Sequence, residues 1–473
     1  MESLTAAVLL RSGTGRPAAR PLFAGRLGTG RCRMSRRTYL YLVGLLSSVV
    51  LLLAAGTGSA QVVGQQVQQP QFQPMQVVGG VFIDIDGTVR YREADAAAEA
   101  ALLRAKAVAR SPAKDSAVRF VSLPRLVAEA AALARAGRPL PDRVRFMGGL
   151  TQVRYVLVYP EEKDLIIGGP GEDIDRDNMP RIGPRTGRPF LQFDDFIVAM
   201  RSARRHGRPL AFGCSIDPDP QAMQRSVEAL RQHMTRPRNE ILAAVHQAVG
   251  PQRVTVFGVP PDTRVSLVCL AADYKLKRLS LGIDPPPLQG LTHAIDNTRV
   301  AGNRFWFEAL YEPLLVSRDG NAIEIRGQRL QVKAGALMFD ERGATATAVN
   351  FARQFTQHMP ALAAAVPVFA ELQNVADLSL VASMIVSDRL DAKIGWDTSP
   401  ILDAGVLPVA VVHLPRSAET LVCIRSGSVA AGGVSLNLAG VLDARARKAD
   451  EAEELAPVRR EGRRAAEPTG SRQ

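Results

Sequence analysis

The chain has 473 residues, of which 46% are hydrophobic and 22% are charged. This composition is typical of a globular protein and excludes both a wholly disordered chain and a polytopic membrane protein. The formal net charge is +13, but residues 1–60 alone hold eight arginines and one glutamate, which is more than half of it. Because that segment has the character of a leader, the basicity predicts no nucleic-acid partner.

The N-terminal segment has the order of regions of a secretory signal peptide. Four arginines between positions 31 and 37 precede an apolar run from Tyr39 to Ala55, and the small residues Gly58-Ser59-Ala60 follow. A basic region, an apolar region and a small-residue cleavage site define such signals. We therefore predict a start at Met34, an upstream extension over residues 1–33 and a signal peptide over residues 34–60. The expected location is the periplasm, the cell envelope or the extracellular space.

Two features of this leader leave alternatives open. Residues 35–40 resemble a twin-arginine export motif, so both that route and the general secretory route are consistent with the sequence. The apolar run has about the minimum length of a membrane-spanning helix, so an uncleaved N-terminal anchor is the alternative to a cleaved signal. Membrane contact is expected only through this segment.

The rest of the chain predicts an α+β protein with disordered ends. Residues 61–76 hold eight glutamines and are predicted to be a linker, and residues 444–473 form a charged, alanine-rich tail that we predict to be disordered. Hairpins and helices alternate between them, which favours α+β over a doubly wound sheet. We divide this part into two subdomains, residues 77–210 and 211–443.

The predicted elements fall into hairpins, helices and short closing strands. The hairpins join Val153–Tyr159 to Asp164–Ile167, and Phe305–Val316 to Ala322–Val332. The helices are predicted over Ala94–Arg110, Pro124–Ala136, Asp194–His206, Gln221–Met234, Asn239–Val249, residues 263–278, Ala348–His358 and Val368–Met384. Strands at Val409–His413 and Thr420–Ile424 are predicted to close the body.

One short motif suggests chemistry. The segment Phe82–Thr88 resembles the first motif of the haloacid-dehalogenase-like phosphatases. That resemblance implies a magnesium-dependent enzyme in which Asp84 is the phosphoryl-accepting nucleophile and Asp86 is the acid/base. Loose matches to the later motifs of that superfamily are Ser122, Lys163, Glu172 and Asp173.

The same residues also fit a β-hairpin whose loop is Ile85-Asp86-Gly87. In its register Ile83 pairs with Val89, Phe82 with Arg90 and Val81 with Tyr91, which separates apolar from polar positions. We favour this structural interpretation, so the sequence assigns no catalytic residue, no cofactor and no metal. The phosphatase with Asp84, Asp86 and magnesium stays the alternative.

Asp194 and Asp195 are a second candidate, because adjacent carboxylates can act as an acid/base pair. They also fit the first turn of a helix whose last turn is basic, an order that complements the helix dipole. We favour the structural interpretation here as well. Beyond the leader the cysteines are Cys214, Cys269 and Cys423, whose spacing fits no metal motif, and Cys269 is predicted to be a buried apolar residue.

Several landmarks together resemble a known family. They are Gly79-Gly80-Val81, Val156–Glu161, Ile167–Pro170, Gln192–Asp195, Gly258–Thr263, Ala272–Lys275 and Arg304–Phe307. Their order is similar to an exported planctomycete family known only as a domain of unknown function, over residues 77–384. The resemblance implies export and assigns no site residue. We therefore expect an exported protein with an envelope or extracellular partner, whose role is binding or structural rather than catalytic.

Overall fold

The computed structural model describes residues 81–83, 88–91, 118–174, 182–294, 302–336, 343–421, 429–447 and 452–466. These described residues all belong to one compact unit. The strands are β1 Val81–Ile83, β2 Thr88–Tyr91, β3 Val118–Ser122, β4 Tyr155–Tyr159, β5 Asp164–Pro170, β6 Ala211–Asp217, β7 Gln252–Phe257, β8 Gly302–Leu310, β9 Leu315–Val316, β10 Ala322–Glu324, β11 Arg329–Ala336, β12 Ser417–Ala418, β13 Val429–Asn437 and β14 Ala446–Arg447.

The helices are α1 Leu123–Arg135, α2 Asp142–Arg145, α3 Phe193–His206, α4 Pro220–His233, α5 Arg238–Val249, α6 Arg264–Ser280, α7 Ala346–Gln357, α8 Met359–Ala365, α9 Pro367–Ser387, α10 Leu390–Ile394, α11 Ser399–Leu402, α12 Ala439–Asp443 and α13 Ala452–Ala466. A 3₁₀ helix covers Met147–Gly149. Several lie close to their predicted bounds; the helix predicted over Ala94–Arg110 lies outside the described residues.

The strands form two sheets, which confirms the α+β class. The larger has the order β1-β2-β12-β7-β6-β13-β8-β11, and the smaller has the order β14-β9-β10-β4-β5-β3. Neighbouring strands are antiparallel except for three parallel pairs, β2 with β12, β8 with β13 and β9 with β14. The smaller sheet joins strands from before and after residue 210, and the subdomain boundary at that residue stays a prediction.

The hairpin around Arg318-Asp319-Gly320 is confirmed, but each of its arms is divided between the two sheets. Near the turn β9 pairs with β10, and further out β8 pairs with β11, with Leu310 opposite Arg329. Pro313 interrupts the first arm because it has no N–H for a ladder, and Gly327, at φ +90°, bends the second. The two arms therefore pass from one sheet to the other at the same distance from the turn, one near Pro313 and the other near Gly327.

Helices α3, α6 and α9 pack against one another, and α6 and α9 contact strands of the larger sheet. Their apolar side chains join those of both sheets in one hydrophobic core. Within the described residues, α9 is long and apolar enough to span a membrane by length and composition, and 94% of its most apolar 18-residue window is buried inside the fold.

The prediction of a disordered tail over residues 444–473 is wrong for β14 and α13. Helix α13 covers the outer face of the smaller sheet, where Leu455 and Val458 pack with Leu157 and Tyr159 in a small apolar cluster. The Tyr159 hydroxyl donates a hydrogen bond to the Arg459 carbonyl at 2.6 Å. The overall composition of the tail conceals that its few apolar residues lie one helical turn apart, and so on one face.

The closing strands were also predicted wrongly. Residues 409–413 form no strand, and the strand that closes the larger sheet is β13, between β6 and β8. Its glycines conceal it, because glycine is rare inside strands. A Cβ at Gly432 would lie 1.6 Å from the Phe305 carbonyl oxygen, so this close strand approach requires glycine. Residues 422–424 of the predicted last strand lie outside the described residues.

Candidate functional site

The aspartates of the phosphatase-like motif, Asp84 and Asp86, lie outside the described residues. The strands that flank them, β1 and β2, pair antiparallel in the register predicted for the hairpin, with Ile83 opposite Val89. That pairing is confirmed. Strand β1 forms one edge of the larger sheet.

The weaker motif matches have structural contacts of their own. The Ser122 hydroxyl caps helix α1 by accepting a hydrogen bond from the Arg125 amide at 3.3 Å. The Glu172 carboxylate accepts one from the Arg185 amide at 2.6 Å, and Asp173 pairs with Arg119. Lys163 lies in the turn between β4 and β5 with φ +52°.

Asp194 and Asp195 lie in the first turn of α3, as predicted. The structure adds two partners that sequence reasoning missed. Arg264, the first residue of α6, donates to Asp195 and, at 2.8 Å, to Glu371 in α9. No sequence pattern links these three residues, because each belongs to a different helix.

A cleft of about 400 Å³ opens where the divided hairpin crosses between the sheets. Mostly polar residues line this crossover cleft, namely Gln152, Arg154, Glu312, Glu324, Ile325, Arg326, Gly327 and Arg329. All of them come from the segment before β4 or from the two interrupted arms. The break in the hairpin therefore creates the cleft.

Two arginines share one carboxylate on the wall of the crossover cleft. Glu324 is nearly buried at the end of β10 and accepts hydrogen bonds from Arg154 Nε at 3.0 Å and from Arg326 Nε at 2.9 Å. The Arg154 side chain is 54% exposed, and its guanidinium lies 5.2 Å from the centre of the Tyr155 ring. The wall thus carries two positive charges, on Arg154 and Arg326, and one negative charge, on Glu324.

The floor of the crossover cleft is a buried ion pair. Arg329 Nε donates to Asp377 of α9 at 3.2 Å, and the same carboxylate accepts from the Tyr311 hydroxyl at 3.0 Å. Arg329 also donates to the carbonyls of Val153, Ile325 and Gly327. The backbone of Arg329 adopts φ +70°. Residues other than glycine rarely adopt this conformation, which costs about 1–3 kcal/mol. The contacts of its guanidinium hold the backbone there.

Burial shifts the pKa values of the ionisable side chains at and near this floor. Removal from water raises the pKa of Asp377, against the opposing effect of Arg329, and raises the pKa of Tyr311 well above its usual range. Burial lowers the pKa of Arg188, whose Nη2 donates to Gln373 of α9 at 2.9 Å. The floor therefore holds its charges by mutual contacts rather than by hydration.

Three side chains leave polar groups available in the crossover cleft. Among the described residues, the Nη atoms of Arg154, the carboxylate of Glu312 and the amide of Gln152 have no protein hydrogen-bond partner. The cleft thus offers hydrogen-bond donors on the positively charged Arg154 and acceptors on the negatively charged Glu312. The Gln152 amide can act as either. These groups can form hydrogen bonds to a small polar ligand.

The described residues show no other obvious reactive centre. No group of three or more His, Cys, Asp or Glu in this part of the chain is arranged to hold a metal ion. Cys214 and Cys269 are free and buried, so the predicted burial of Cys269 is confirmed. Cys423 lies outside the described residues.

Residues 214–293 match the family described as Protein of unknown function (DUF1598), which confirms the resemblance to a family of unknown function over that range. No curated protein and no solved structure gives a significant match. The matched range contains Arg264 and none of the residues that line the crossover cleft.

Proposed function

We propose that the protein is an exported binding protein of the cell envelope or extracellular space, and that the crossover cleft is its binding site. The ligand class is a small molecule with an anionic group for Arg154 and a hydrogen-bond donor for Glu312. The observation that carries this proposal is the set of polar groups without protein partners around the cleft. Amino acids and acidic sugars both present this chemistry.

The shape of the site supports binding of a small molecule. The rigid parts are the floor, where Arg329 is fixed by Asp377, and the wall, where Glu324 holds two arginines. A guanidinium with unoccupied nitrogens can form two parallel hydrogen bonds to a carboxylate or phosphate. We assign recognition of the anionic group to Arg154 for this reason.

The binding proposal is tested by thermal unfolding of the purified chain with glutamate, galacturonate, inorganic phosphate or neutral glucose. A ligand at about 100 times its Kd adds about 2.7 kcal/mol of stability, which raises the Tm measurably. We expect glutamate or galacturonate to raise the Tm, and glucose to leave it unchanged. The more effective of the two identifies the ligand class.

The variant Arg154→Gln removes the proposed anion contact. Its matched control is Arg253→Gln, because Arg253 is an exposed strand arginine with no side-chain partner among the described residues. We expect Arg154→Gln to abolish the Tm increase and Arg253→Gln to retain it. An equal response of both variants, or no response of the unmodified chain to any probe, would disprove the binding proposal.

Export is tested separately from binding. The sequence supports cleavage after Ala60, which would leave Gln61 at the N-terminus. Mass spectrometry of the chain recovered from the producing cell and from its medium measures that terminus and its location. A chain that retains residues 34–60 in a membrane fraction would favour the anchored form, and one found in the cytoplasm would refute export.

A further inference from the structure

The beginnings of three helices meet at one arginine. Asp195 is the third residue of α3, Arg264 the first of α6 and Glu371 the fifth of α9. Arg264 contacts both carboxylates, with one terminal nitrogen for each. A cation at the first position of a helix interacts unfavourably with the helix dipole. The two carboxylates offset this cost and hold the Arg264 side chain in position.

The charges at this junction do not balance. Asp195 and Glu371 both contact the single guanidinium of Arg264, and Asp194 adjoins Asp195 in the first turn of α3. Asp195 is 1% exposed, and its Oδ1 is buried and has no hydrogen-bond partner among the described residues. A buried carboxylate oxygen without a donor is strongly disfavoured as an anion.

We propose that the three-helix junction is a proton-binding site, in which the Asp195–Glu371 pair takes up a proton in mildly acidic solution and thereby stabilises the packing of α3, α6 and α9. Protonation leaves Arg264 with one ionised partner, which its charge balances. Deprotonation leaves two anions beside one cation, with the Asp195 side chain buried and those of Arg264 and Glu371 each 17% exposed. The helices are therefore held more firmly in acid than at neutral pH.

Other groups near the junction do not neutralise it. Arg145 and Arg201 act on Asp194 from the side of α2 and from α3 itself, and Asp194 also accepts a hydrogen bond from the Ala410 amide. Cys269 of α6 faces Asp195 as a neutral thiol, because burial raises its pKa. The excess negative charge thus stays on the pair that shares Arg264.

The titration of the cluster agrees with the proposal. Burial, opposed by Arg264 and reinforced by Asp194 and Glu371, raises the pKa of Asp195 from its ordinary value of 3.8 to about 6. Burial also raises the pKa of Glu371. Between these two pH values the folded chain binds more protons than the unfolded chain. By linkage, stability is fully present below pH 3.8 and decreases as pH rises toward 6.

The test is urea unfolding of the full chain from pH 4 to pH 8, in parallel for the unmodified chain and Asp195→Asn. Burial raises the pKa of Asp273 in α6 to about 6 as well. The quantity to compare between pH values is therefore the unfolding constant of the unmodified chain divided by that of Asp195→Asn. Asp273 acts equally in both chains and cancels. The raised pKa of Asp195 predicts that the unfolding constant of the unmodified chain, divided by that of Asp195→Asn, rises by roughly 60-fold from pH 4 to pH 8.

Two further variants keep the test decisive. Glu371→Gln removes the other carboxylate and is expected to give a rising ratio too, which serves if Asp195→Asn does not fold. Asp443→Asn, at an exposed aspartate, is expected to give a ratio that does not change with pH. A ratio for both junction variants that stays within threefold from pH 4 to pH 8 would overturn the proposal.

Discussion

Loss of the Asp377 charge under the crossover cleft should destabilise the whole fold. Asp377 is completely buried in α9 and binds Arg329 and Tyr311. The variant Asp377→Asn keeps the size of the side chain but leaves the Arg329 guanidinium buried without an anion. We expect it to lower the free energy of unfolding by about 3–5 kcal/mol, the usual cost of breaking a buried ion pair from one side.

The contacts of Arg329 indicate that the ion pair cannot simply be replaced by apolar residues. Its guanidinium also donates to three backbone carbonyls, those of Val153, Ile325 and Gly327. Each buried carbonyl left without a donor costs about 1–3 kcal/mol. We therefore expect Arg329→Met with Asp377→Leu to remain destabilised, whereas many buried ion pairs can be exchanged for apolar residues at no cost.

The assay is equilibrium unfolding in urea followed by circular dichroism, with the slope against urea compared between variants. The matched control is Asp388→Asn, because Asp388 pairs with Arg445 at 2.8 Å where both side chains are partly exposed. Pairs in contact with water contribute about 0–1 kcal/mol, so this control should unfold close to the unmodified chain. The reasoning is refuted if Asp377→Asn is no less stable than Asp388→Asn.

Two more predictions concern the C-terminal helix and the thiols. A Cβ at Gly462 would lie 2.5 Å from Leu157 Cδ1 and 2.6 Å from the Tyr159 hydroxyl, so Gly462→Val should displace these side chains, weaken the packing of α13 and increase its sensitivity to limited proteolysis. Gly440→Val, with open space at its Cβ, is the control, and equal resistance of the two variants would contradict the docking of α13. Burial raises the pKa of Cys214 and of Cys269, so neither should react with iodoacetamide at pH 8 before urea is added. Peptide mass spectrometry reads this out, and labelling of the native chain would show that they are accessible.

Local features of the fold were predictable because their determinants are adjacent in sequence. Ser122 caps α1, the charges of α3 follow its dipole, and β1 and β2 pair in the register that separates polar from apolar positions. Each of these depends on the chain within a few residues. The hairpin around Arg318-Asp319-Gly320 was predictable for the same reason.

The remaining features depend on residues that are distant in sequence. The hairpin arms change sheets at Pro313 and Gly327, but their sequence does not show that a second sheet receives them. The glycines of β13 predict a loop from the sequence alone. The structure shows that Gly432 allows the close approach of the Phe305 backbone. The crossover cleft and the three-helix junction were missed for this reason, because contacts such as Arg154 with Glu324 and Arg264 with Glu371 span more than 100 residues.

Helix α9 shows why hydropathy alone describes the centre of this protein poorly. By length and apolar content it resembles a membrane span, yet its buried polar residues meet partners from distant segments. Glu371 binds Arg264, Gln373 donates to the Gln328 carbonyl and Asp377 binds Arg329. Satisfied polar groups at three levels of one helix fix its rotation and position in the core. The same helix therefore supports both the proton-binding junction near its start and the floor of the crossover cleft.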